Sequence, residues 1–291
     1  MNESQETSSG NFGYSADNIE HFERSLRDLQ NAQPNVQLDL HDLAEHLSAA
    51  RARTFASEAL GRRLPVIQQA VLNVFHIYSP DRKEFLTQVE CTNIAIQLQA
   101  FAINVYAIFD NAAWICMLEA GGNLPAIKVG LFRTEIRKFL PAKLADYIDQ
   151  PTVKRWFDEY GKIYRDSTAH RIPPYLPSRA YTTEEGARFR EIHDQSMALL
   201  YGWRPGESLE QVEERLARHR ELEAEKEQLG RNSLLFGLTL TGEDAKAPVY
   251  LHPQLLCDWG LVHEFVQAFT QAMREHYRLV APHLPPISAG S

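Results

Sequence analysis

The chain has 291 residues, 44% of them apolar and 23% charged, with a formal net charge of −8. A soluble globular protein with a sizeable core fits these values. General attraction to nucleic acid does not. The three cysteines, Cys91, Cys116 and Cys257, lie far apart, which argues against a disulfide framework or a zinc knuckle and fits a reducing cytoplasm.

Residues 1–15 are polar and Ser-rich, so they read as a disordered tail without the apolar run of a signal peptide. Ser15 is placed to cap a helix to about Asn31, carrying Ile19, Phe22, Leu26 and Leu29 on one face. Asp39 or Asp42 opens a second helix to Arg63, and Pro65 a third, which Ser79-Pro80 stops. From Asp81 to Glu119 runs the longest apolar pattern, ended by Gly121-Gly122. Its second half, Ala100 to Leu118, is long enough to raise a membrane span. Asn104, Asp110 and Asn111 make a buried core helix the better reading. Helices over Val129–Phe139 and Ala142–Ile148 come next.

Thr152 to His170 carries an aromatic stripe of Trp156, Tyr160 and Tyr164. Pro173 ends it, and an extended strap follows to Pro177. Thr182 or Thr183, with Glu184 and Glu185 nearby, resembles a capping start for a helix to about Tyr201, and a Glu/Arg-rich helix occupies 206–229. Leu234–Leu240 and Pro248–Leu251 pair as a hairpin, and a buried helix runs from Gln254 to about Leu279. The fold expected is mainly α: a helical bundle with a charged helical insertion and one small β-hairpin. Its single domain covers 16–281, with a core at about 85–175 and 253–279 and an insertion at about 183–251. Residues 282–291 form a tail.

Charge is unevenly distributed. Between Lys128 and Arg179 stand eleven Lys/Arg and six Asp/Glu, a local net of +5 that leaves −13 for the remainder. Such a patch suits transient contact with a polyanion. Inside it lies Arg165-Asp166-Ser167-Thr168-Ala169-His170. A guanidinium holds phosphate oxygens with a planar fork of donors, and an imidazole moves protons near neutral pH. Arg-x4-His recurs at Arg188/His193 and Arg278/His283, inside a charged helix and a fading C-terminal end. Only the first match has an adjacent Asp, a helix C-terminus that favours an imidazolium, and prolines that fix the chain exit.

Tyr164-Arg-Asp-Ser-Thr-Ala-His-Arg171 resembles the signature of the HEPN superfamily, an Arg, a polar residue and, after a short gap, a His. Asp166 stands where Asn is commoner. Ile103 to Trp114 resembles the long helix that precedes the motif in such bundles, and the similarity covers roughly 85–175. The resemblance implies an all-α homodimer whose two motif helices form a composite cleft. It implies a metal-independent endoribonuclease of toxin–antitoxin, abortive-infection or antiviral systems, or a relative that has lost activity and serves as a binding module.

On this reading His170, Arg165 and Asp166 are catalytic, Arg171 and Asp110 contribute to substrate binding, and no metal or cofactor is needed. The partners are RNA, a second copy, and a possible neutralising antitoxin; no membrane is involved. The competing reading is a catalytically silent helical dimerisation and protein-interaction module. By burial alone, Asp110 reads better as a core polar group paired with another helix than as a cleft residue. His252 and His263 lack the spacing of a metal pair.

Overall fold

The computed structural model describes residues 13–202, 206–238 and 247–279, without the side chain of His170. Of the tail expected at 1–15, residues 1–12 lie outside the described residues, as do the tail at 282–291 and the tip of the hairpin; Tyr14 is not part of a disordered tail but packs edge-on against Phe22 and His252. In chain order the helices are α1 (Ala16–His46), α2 (Ala50–Thr54), α3 (Gly61–Ile77), α4 (Gln88–Glu119), α5 (Ala142–Ile148), α6 (Pro151–Trp156), α7 (Lys162–His170), α8 (Thr183–Tyr201), α9 (Leu209–Glu227) and α10 (Leu251–Tyr277). Two antiparallel strand pairs complete the fold: β1 (Arg179–Ala180) with β2 (Arg231–Asn232), and β3 (Leu235–Phe236) with β4 (Val249–Tyr250). The protein is therefore mainly α, a helical bundle with small hairpin-like pairs.

The chain divides into two compact units. The larger holds 13–82, 92–176 and the residues from 234 onward; the smaller holds 83–91 and 177–233. The segment expected as an insertion is split between them: α8, α9 and β2 belong to the smaller unit, β3 and β4 to the larger.

In the larger unit α10 is a core helix, with Trp259, Phe265 and Phe269 fully buried. Phe265 meets Phe109 of α4 at 4.4 Å between ring centroids. Against α1, the indole of Trp259 and the ring of His263 both donate to Gln33 Oε1, at 3.1 and 2.6 Å. An indole N–H only donates, which fixes the amide orientation of Gln33. His252 Nε2 donates to the carbonyl of Tyr78 at 2.6 Å. Burial lowers both histidines to a pKa of about 4, so they are neutral packing groups at pH 7. α4 is long and apolar enough to cross a membrane by length and composition, and 56% of that window is buried inside the fold.

Several helix boundaries differ from expectation. α1 continues to His46 with Pro34 inside it, instead of ending near Asn31. An interior proline costs about 3 kcal/mol. Burying Val36, Leu40 and Leu43 on one face outweighs that at about 1.5–3 kcal/mol each. The break falls at Leu47–Ala49, where the carboxylate of Glu119 accepts from the Ser48 and Ala49 amides at 2.7 and 2.9 Å. The next helix starts at Ala50, runs through a π-helical turn at Phe55–Leu60, and holds Pro65 in its interior rather than at its start. α4 begins at Gln88, seven residues after the expected Asp81. Thr87 caps it: the Glu90 amide donates to Thr87 Oγ1 at 3.2 Å, and the Thr87 amide to Glu90 Oε2 at 2.7 Å. Val129–Phe139 is not an α-helix: residues 129–133 form a loop between two 3₁₀ turns, Ala126–Lys128 and Thr134–Phe139.

The smaller unit pairs α8 with α9, each opened by a capping box, at Thr182/Glu185 and Ser208/Gln211. Buried Ser196 meets His219 Nδ1 at 2.8 Å, and its hydroxyl also donates to Glu223. Arg179 donates to the carbonyls of Glu227 and Leu229 at 2.8 and 3.0 Å, satisfying the end of α9. Arg188 is bound to Glu191 and Glu225, so the second Arg-x4-His match serves helix pairing. Thr182→Ala should cost about 1 kcal/mol, read as a lower urea midpoint followed by helical circular dichroism. An unchanged midpoint would deny the cap its role.

Candidate active site

The motif helix is not a regular α-helix. α6 and α7 are joined by a π-helical turn, Phe157–Gly161, that inserts a residue and turns neighbouring side chains to different sides. Trp156 points inward: its indole donates to Asp258 Oδ1 on α10 at 2.8 Å. Gly161 permits this, since a Cβ there would stand 2.7 Å from the indole ring. Phe157 faces the other way and stacks on Phe132, centroids 3.8 Å apart, and on Tyr106 at 6.0 Å. α7 then ends at His170, just before the prolines, with Arg171 leaving the helical conformation.

On the outward side lies a cleft of about 520 Å³, within the range of small-ligand pockets. α4 contributes Tyr106, Asp110 and Trp114; the 126–133 loop contributes Gly130, Phe132 and Arg133; the motif helix contributes Phe157, Lys162, Arg165 and Asp166. Three cations thus share the cleft with two carboxylates and an aromatic wall. Arg165 donates to Asp166 Oδ1 at 2.6 Å and lies over the Tyr106 ring, 4.9 Å from its centroid. The bond to Asp166 strengthens the hold of Arg165 on its proton. Burial raises the Tyr106 hydroxyl to about 12, so it stays protonated.

Asp110 is raised to about 6 by burial, against the pull of Arg165, Arg133 and Arg63. Among the described residues no donor reaches its carboxylate within hydrogen-bond distance. Arg63 gives its donor to Asn104 Oδ1 at 2.7 Å. Gly130 lets the loop come this close: a Cβ there would meet Asp110 Oδ1 at 3.1 Å.

Arg165, Asp166 and Asp110 are therefore brought to one cleft. Asp110 is a cleft group and not, as burial alone favoured, a core polar group paired with another helix. Trp114 lines the same cleft and stacks on Phe55 at 5.2 Å. Asn111 is buried. Arg171 is exposed and is not among the cleft-lining residues. The side chain of His170 lies outside the described residues, and His283 of the third motif match does too.

Sequence reasoning missed Tyr106, Phe132, Arg133, Phe157 and Lys162. These come from three segments, and no local pattern joins them. Among the described residues no group of three His, Cys, Asp or Glu side chains is placed to hold a metal ion. No protein-family model, curated protein or solved structure matches the chain.

Proposed function

We propose that the chain is a metal-independent endoribonuclease of the HEPN type, a cytoplasmic toxin or antiviral effector that acts as a homodimer. One observation carries the reading: Arg165, Arg133 and Lys162 converge on a cleft whose walls are aromatic. Cations meet phosphate oxygens and aromatic faces accept unstacked bases, the pairing that single-stranded RNA requires.

The reaction uses the 2′-hydroxyl of the substrate. Its oxygen attacks phosphorus, the P–O5′ bond breaks, a base takes the 2′ proton, and an acid protonates the leaving 5′-oxygen. His170 serves as base or acid, and a two-fold partner supplies the second imidazole. Arg165 holds the phosphoryl oxygens as charge accumulates. Asp166 acts through Arg165, which its 2.6 Å bond orients. The products are a 2′,3′-cyclic phosphate and a 5′-hydroxyl.

Incubation of the purified chain with single-stranded RNA in excess chelator is the test. Cleavage should persist and leave cyclic-phosphate ends, and expression in cells should be toxic. Loss of cleavage on chelation would overturn the metal-free chemistry. A dimer that cuts no RNA and harms no cell would favour the catalytically silent dimerisation module.

A further inference from the structure

Phosphate binding and proton transfer leave one cleft group without a task. Asp110 sits half-buried on α4 in the cleft lining, with no donor among the described residues on its carboxylate. Of the three guanidiniums whose charge it feels, two already donate elsewhere, Arg63 to Asn104 and Arg165 to Asp166. Its two oxygens therefore open onto the cleft, where a ligand donor can replace water.

The required donor has a definite shape. A carboxylate presents two coplanar acceptors, which match two parallel N–H groups on one planar edge. Among the unpaired RNA bases only guanine offers this, through N1–H and the 2-amino group. Adenine and cytosine each set one amino group beside an acceptor nitrogen, and uracil flanks its single N–H with two carbonyls. A peptide arginine also has a donor fork, but Arg133, Lys162 and Arg165 in the same cleft repel a guanidinium and favour a phosphate. Tyr106, Phe157 and Trp114 line the same cleft and give a base apolar ring surface to pack against.

We propose that Asp110 is a specificity-determining residue that selects guanine, so that the substrate is single-stranded RNA with an unpaired G at the cleft. Duplex RNA is excluded because pairing occupies the edge that Asp110 reads. The inference rests on the reading of the cleft as an RNA site, but it is tested apart from cleavage.

The test is calorimetric titration of the full chain with 5′-GMP, 5′-AMP, 5′-CMP and 5′-UMP. GMP should bind about tenfold or more tighter than the other three, as expected for a bidentate pair. Asp110→Asn offers one acceptor and one donor in place of two acceptors, and should bring the four within about threefold of one another. Arg165→Met should weaken all four alike. Equal affinities in the unaltered chain, no binding of any nucleotide, or a guanine preference that survives Asp110→Asn would each overturn the inference. The ranking in the unaltered protein decides the matter even if a variant fails to fold. Guanine preference without RNA cleavage would remove the nuclease and leave the guanine site; cleavage without preference would do the reverse.

Discussion

Arg165→Ala should reduce RNA cleavage about 10²–10³-fold, the cost of removing one preorganised donor from a developing anionic charge. The effect should fall on kcat more than on KM. On the proposed reading Arg133 and Lys162 remain in the cleft to attract the polyanion, whereas the fork that would close on the phosphorane is gone. Arg165→Lys should not restore the rate. A lysine keeps the charge but loses the planar donors and the flat contact with Tyr106, where the guanidinium lies 4.9 Å from the ring centroid. His170→Ala should cost about 10²–10⁴-fold, the usual worth of general acid–base catalysis. Asp166→Asn should cost less, because it still offers an oxygen to Arg165. Single-turnover cleavage of a short labelled RNA measures all four. Unaltered rates in Arg165→Ala would remove the cleft from the chemistry.

The ends of many elements were legible because their chemistry is local. Ser15 and Thr182 cap α1 and α8 with their own side chains. Pro141 precedes α5, and the prolines after Ile172 stop α7 at His170. What failed was a rule read too strictly. The helix expected to end near Asn31 continues past Pro34, and Pro65 lies inside a helix rather than at its start, because a continuous buried face carries the backbone past both. The Thr87-x-x-Glu90 capping box lies inside the apolar run expected to start at Asp81 and sets the later start of α4.

At the site, the Arg165–Asp166 pair was visible because its partners are neighbours in the chain. Phe157 and Tyr106 were not, because the face they occupy depends on the π turn at Phe157–Gly161. Without that extra residue the 3.6 period assigns Trp156, Tyr160 and Tyr164 to one stripe and leaves Phe157 unexplained. The loop at 126–133 has an apolar rhythm that imitates a helix. Its true determinants are distant: the stack of Phe132 on Phe157 and the approach of Gly130 to Asp110.

The π turn has its own anchor, and breaking that anchor should give the largest stability change in the larger unit. Asp258 is 2% exposed and accepts from Trp156 Nε1 at 2.8 Å and from Gln254 Nε2 at 2.9 Å; Tyr160 bonds to it as well. Asp258→Ala would leave these donors buried without an acceptor, at about 1–3 kcal/mol for each one stranded. A total of roughly 3–5 kcal/mol is expected, with loss of the order that sets Phe157 against Phe132. Asp258→Asn keeps an acceptor and should fold.

The two variants also separate packing from charge. Burial raises Asp258 from 3.8 to about 7, against the three hydrogen bonds. The folded protein therefore holds a proton between about pH 4 and pH 7 that the unfolded chain releases. Stability from this group is full below pH 4 and is lost as pH rises through 7. Asp258→Asn should gain on the unaltered protein across that interval, by on the order of 4 kcal/mol at about 1.4 kcal/mol per pH unit. The difference should then level off. Asp110, also raised, contributes the same slope to both proteins and cancels in the difference. Urea unfolding followed by tryptophan fluorescence suits the measurement, since Trp114, Trp156 and Trp259 all lie in the larger unit. A constant gap between the two proteins from pH 4 to pH 8 would mean that Asp258 is ionised throughout, and that the π turn is held by a carboxylate at every pH.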